Sequence, residues 1–218
     1  MEQLFAGEFY HIYNRGNNGE NLFYQNKNYE YFLKKYDYFL SKYLDIYAFC
    51  LMPNHFHLLV KVREQIDASR EMASLREILT PKLNFSKSEL ISIKDAISYE
   101  RQISEQLRRL FVGYTMAINK QQNRHGSLFE KPFKRKRITD EIYLKRLVWY
   151  IHNNPIHHGF VTNLNDWEFS SYHSLITDKP TKLKKDEVLA WFDGKDNYQD
   201  FQKQETDLKM IEPILFDF

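Results

Sequence analysis

Two apolar runs separated by only two residues dominate the sequence: "LDIYAFCLM", Leu44–Met52, and "HFHLLVKV", His55–Val62, with Pro53 and Asn54 between them. Two β-prone runs joined this closely are most simply an antiparallel hairpin. The second run spends two of its positions on imidazole. Side chains alternate along a strand, so His55 and His57 share one face while Phe56 points to the other, toward a core. Two residues of rise put their Cβ atoms roughly 7 Å apart, a separation from which both rings can lean in to one ion. A bare His-x-His also suits a wet strand face. Inside a hairpin that is otherwise apolar, the pair points to a metal site whose rings need further polar partners.

The remaining elements follow from periodicity and punctuation. "EFYHIYNRG" reads as an aromatic-rich strand ending in a Gly/Asn turn. Tyr29, Phe32, Leu33, Tyr36, Phe39 and Leu40 recur at helical spacing, as do Ile103, Leu107, Leu110, Phe111, Tyr114 and Ile118, with Gly126 as a stop. "SLFEKPFKRKRI" is extended and basic. Asp140 is a plausible N-cap for "EIYLKRLVWYIHNNP", and Asn153-Asn154-Pro155 reads as its stop, so His152, His157 and His158 look more like a helix end than a second metal cluster. The order β-α-β-β-(insert)-α-β-α predicts an α+β, ferredoxin-like β-α-β-β-α-β sandwich, an antiparallel sheet with helices on one face. The expected division is a main domain over 1–178, with a helical insertion at about 63–100, and a C-terminal helical extension and tail over 179–218.

Charge adds a direction. Net charge is only +2, but from Arg101 to Arg146 twelve Lys or Arg face four Asp or Glu. "KPFKRKR", Lys131 to Arg137, has five basic residues in seven. A polyanion fits such a stretch, and phosphate contacts there would confer affinity and salt dependence; a solvated edge strand guarded by lysines is the plainer alternative. Strand alternation puts Lys131, Phe133, Arg135 and Arg137 on one face and Lys134 and Lys136 on the other. The single cysteine, Cys50, excludes an internal disulfide and reads as a small buried hydrophobe. Neither a signal peptide nor a membrane-spanning run is visible, so a cytoplasmic protein with no membrane partner is expected.

The segments "YHIYNRG", "YAFCLMPNHFHLLV", "YTMAINKQQNRHGSLFEKPF" and "YLKRLVWYIHNNPIHHGFV" resemble, in order, the single-tyrosine HUH transposases, and most closely the REP-associated tyrosine transposases of that family. The likeness covers about residues 5 to 175. It implies an enzyme that nicks and rejoins single-stranded DNA, at hairpin-forming repeats, through a 5′-phosphotyrosine link, with a divalent ion, Mg²⁺ or Mn²⁺, on His55 and His57. No nucleotide cofactor is implied, because the phosphotyrosine conserves the energy of the broken bond.

By motif position the resemblance makes Tyr114 the nucleophile among fifteen tyrosines. Ile118 stands where related transposases carry a ligating Gln, so Asn119 is the expected third ligand, although an ideal helix turns it about 140° away from Tyr114. Expected DNA contacts are Arg15, Arg108, Arg109, Lys131, Lys134, Arg135, Lys136 and Arg137. Lys131-Pro132 departs from the Arg the family often has there. Some relatives act as dimers and others alone, so a homodimer is one open assembly. Two other readings stand beside the enzyme: a DNA- or RNA-binding protein that kept the fold and lost cleavage, and an unrelated metal hydrolase, for which the hairpin offers no carboxylate.

Overall fold

The computed structural model describes residues 2–64 and 99–204. Most of the expected insertion, 65–98, and the tail beyond 204 lie outside the described residues. Four strands, β1 (Phe9–Arg15), β2 (Leu44–Met52), β3 (His55–Val62) and β4 (Lys134–Ile138), form one antiparallel sheet in the order β2-β3-β1-β4. The hairpin of β2 and β3 turns at Pro53-Asn54, as the apolar runs predict. The β1 end docks beside that turn, with Gly16 N donating to Asn54 O at 2.8 Å. A Cβ at Gly16 would lie 1.9 Å from Glu20 O, so only glycine permits this close approach.

One sheet face carries α1 (Asn26–Leu40) and α2 (Tyr99–Gln122). Their apolar stripes, including Phe32, Tyr36, Leu107 and Tyr114, bury against Ile12, Phe56, Leu58 and Val60 of the sheet. Gln25 and Asn28 cap the start of α1 reciprocally. Asn28 also ties the two helices, its Nδ2 donating to Gln121 Oε1 at 2.8 Å.

The sheet order with α1 and α2 on one face is the expected α+β, ferredoxin-like sandwich; what the expectation lacked is that the second face is covered as well. The second carries α3 (Glu141–His157), with the short helices α4 (Tyr172–Ile176), α5 (Lys185–Trp191) and α6 (Lys195–Lys203) beyond it. Leu147, Val148, Ile151, Val188 and Tyr198 share a second core with Ala48, Cys50 and Leu59 of the sheet. A two-sided sheet explains why β3 reads as a nearly unbroken apolar run. Asp140 caps α3 as expected, accepting from Ile142 N at 2.9 Å. Pro155 does not stop it. The helix runs on to His157 and closes at Gly159, whose φ of 68° suits glycine. One lost hydrogen bond near a helix end is tolerable when tertiary contacts hold that turn. Here Asn153 Nδ2 donates to Gln202 Oε1 of α6 at 3.1 Å, and Asn154 meets the sheet.

Candidate active site

Alternation in β3 sends Phe56 and Leu58 toward α1 and α2, and His55 and His57 toward α3. Both histidines are buried, at 2% and 0% exposure. Register brings further side chains to the same face: Tyr13 and Arg15 of β1 lie opposite His57 and His55. The ring centroids of His55 and His57 are 5.3 Å apart. The two nitrogens of His55 meet the side-chain amides of two asparagines, Nδ1 that of Asn54 at 2.8 Å and Nε2 that of Asn154 at 2.7 Å. His57 Nδ1 meets His11 Nε2 of β1 at 2.9 Å. Burial lowers the pKa of His55 to about 4 and holds that of His57 well below the usual histidine value, so both are neutral imidazoles near pH 7, the form that binds metals.

From above, α3 supplies two residues one turn apart, Tyr150 and Asn154, which therefore share a helix face. The Tyr150 ring stands nearly perpendicular to His57, with centroids 5.2 Å apart. Burial pushes its phenol up to about 12, while the Asn154 amide pulls the other way. His158 lies at the exposed rim, its ring 4.9 Å from that of His55. Two neutral imidazoles and an amide oxygen are a fitting donor set for a divalent cation of borderline character such as Mn²⁺. Among the described residues, no group of three or more His, Cys, Asp or Glu could hold a metal ion.

The expected nucleophile and third ligand require correction. Tyr114 lies on the other side of the sheet, buried among Phe23, Phe32 and Phe129, with its hydroxyl donating to Leu22 O at 2.9 Å. Its phenol is driven well up by burial. Asn119 braces the loop after α2, donating to Gly126 O at 2.9 Å and accepting from Arg124 at 2.7 Å. Neither reaches the histidines, because α2 packs on the Phe56 face. The sequence by itself does not single out Tyr150 and Asn154, because an Asn-Asn-Pro run reads as a helix stop. Their four-residue spacing, ahead of His158, was the available signal.

The basic residues divide by face. Lys134 is opposite Tyr13 and Lys136 opposite His11, so both stand on the histidine face. Lys134 Nζ lies 5.9 Å from the Tyr13 ring centroid, and Lys136 Nζ lies 3.2 Å from Tyr143 Oη. Arg15 shares this face and pairs with Glu130. Lys131 is exposed just before β4. The other four sit elsewhere. Arg135 turns to the opposite face, 5% exposed in its side chain, and holds Glu100 at 3.1 Å and Ser104 at 3.2 Å. Arg137 grips Glu8 through two hydrogen bonds. Arg108 and Arg109 both bind Glu105 on α2, across the sheet from the histidines. Among the described residues, no helix is long and apolar enough to cross a membrane.

Residues 8–102 match the family model described as "Transposase IS200 like", a span that includes both histidines and stops short of Tyr114 and Tyr150. A curated Haemophilus influenzae protein named as a REP-associated tyrosine transposase is 25% identical over 126 residues, 58% of this chain and 57% of its own length. The chain thus aligns with little more than half of that relative. A solved structure of a REP-associated tyrosine transposase bound to a REP hairpin superposes with a TM-score of 0.53 at 19% identity, covering 83% of this chain and 87% of the other. The fold is shared, and the sequence likeness to IS200-like transposases lies over the strands that carry the histidines.

Proposed function

We propose that this chain, like the IS200-like transposases it resembles, is a nuclease and strand transferase acting on single-stranded or hairpin DNA, with Tyr150 as its nucleophile. The observation that carries the reading is that α3 brings Tyr150 and Asn154 onto the face shared by His55 and His57. The Tyr150 oxygen would attack the scissile phosphorus and give up its proton, one proton being taken up in turn by the leaving oxygen. A new P–O bond forms to tyrosine, the bond to the 3′ oxygen breaks, and that oxygen leaves as a 3′-hydroxyl once protonated. Rejoining is the same exchange in reverse, with a 3′-hydroxyl displacing Tyr150. A divalent cation on His55, His57 and Asn154 would supply positive charge against the phosphate oxygens when bound.

Lys134, Lys136 and Arg15 flank this face and would track the DNA backbone. The hairpin preference rests on the named relative and on the structure bound to a REP hairpin. Tyr150 is 4% exposed, so cleavage requires α3 to move from the sheet. That closure also favours a second reading, a protein that binds nucleic acid on this fold without cutting it.

The test is a labelled hairpin oligonucleotide, taken from repeats flanking the gene, incubated with Mn²⁺ or Mg²⁺ and run on a denaturing gel. A metal-dependent covalent protein–DNA band, lost in Tyr150→Phe and kept in Tyr114→Phe, is the expected result. Tight binding with no covalent band under any condition would leave the second reading.

A further inference from the structure

His11 is fully buried, on the same sheet face as His57 and diagonal to it across β1 and β3. Their rings lie nearly parallel, 23° apart with centroids at 5.1 Å, and His11 Nε2 meets His57 Nδ1 at 2.9 Å. Tyr13 stacks on both rings, at 4.7 Å from His11 and 6.0 Å from His57, which fixes their planes. An apolar residue would fill this place in the core more cheaply than a second imidazole.

One proton serves this N···N contact, and its position matters. If His57 donates from Nδ1, its Nε2 keeps a lone pair. If His11 donates from Nε2, His57 carries its proton on Nε2 and that atom cannot bind a metal. We infer that His11 is a positioning residue for the cation site, accepting from His57 Nδ1 and so holding that ring in the orientation and tautomer that present Nε2 to the ion. The inference rests on the proposed assignment of His55, His57 and Asn154 to that ion. It concerns a group that would touch neither metal nor DNA.

Mn²⁺ binding to the full chain, without DNA, tests it, with free Mn²⁺ followed by electron paramagnetic resonance. Loss of such an outer partner weakens metal binding about 10–100-fold, the effect expected for His11→Phe. In His11→Gln, whose Oε1 can accept the same proton, affinity should stay near that of the parent. His57→Ala supplies the reference. Should His11→Phe bind Mn²⁺ as the parent does while His57→Ala loses it, the role of His11 is overturned and the site stands. If the parent and His57→Ala titrate alike, the cation site itself fails, and the inference with it.

A measurement on the unsubstituted protein covers the case in which His11→Phe does not fold. Nitrogen-15 spectra of the metal-free chain report the His57 tautomer directly. A proton on Nδ1 is expected; a proton on Nε2 would overturn the inference.

Discussion

Asn154 Oδ1 lies 2.7 Å from His55 Nε2, although 99 residues separate them in sequence. That contact joins the sheet to the helix above it, and it places Tyr150, one turn earlier on α3, over His57.

The two candidate tyrosines should separate cleanly. Tyr150→Phe removes the proposed attacking oxygen and is expected to abolish the covalent product while leaving the fold intact. Tyr114→Phe leaves cleavage intact. It removes the donor to Leu22 O and lowers stability by about 1–3 kcal/mol. The covalent band and a urea midpoint, measured on both variants, decide it. Loss of the band in Tyr114→Phe with the midpoint unchanged would return the nucleophile to α2.

The asparagines should divide in the same way. Asn154→Ala is expected to weaken both Mn²⁺ binding and cleavage. Asn119→Ala removes only the brace on the loop after α2, with its partners Gly126 and Arg124, and should leave metal affinity where it was. Calorimetric Mn²⁺ titrations of the two variants give the comparison.

Stability should fall in mild acid. His11, His55 and His152 are neutral in the folded chain, with burial lowering their pKa values to about 3, about 4 and about 3. Unfolded, each takes up a proton near pH 6.5. The unfolded state therefore binds more protons below that point. The stability associated with these groups is fully present above about pH 6.5 and drains away as pH falls toward 3. Each group adds up to about 1.4 kcal/mol per pH unit inside that window. Urea midpoints between pH 7.5 and pH 4.5 should drop steeply; a flat profile would mean the histidines are reached by water in the folded state.

The basic strand should show two kinds of residue. Lys134→Ala and Lys136→Ala are expected to weaken single-stranded DNA binding and to reduce the slope of log K against log salt by about 0.7 each, if each meets one phosphate. Arg135→Ala breaks the pair with Glu100 and its bond to Ser104, so it should lower the melting temperature with little change in that slope. Salt titrations of binding, alongside thermal melts, separate the two.

Much of the architecture was legible in the sequence for local reasons. Pro53-Asn54 between two apolar runs specifies the hairpin, strand alternation puts His55 and His57 on one face, and Asp140 announces the start of α3. The alternation also separates Lys134 and Lys136 from Arg135 and Arg137. These are properties of a few neighbouring residues, and backbone geometry enforces them wherever the segment sits.

Which tyrosine meets the histidines is a different kind of question. Tyr114 and Tyr150 both lie on helices with apolar stripes, and a stripe says that a face is buried without saying against which side of the sheet. Only the tertiary structure settles that α2 packs on the Phe56 side and α3 on the histidine side. The reason is physical: a sheet buried on both faces offers two similar apolar surfaces, and the choice between them depends on connections and packing over the whole chain.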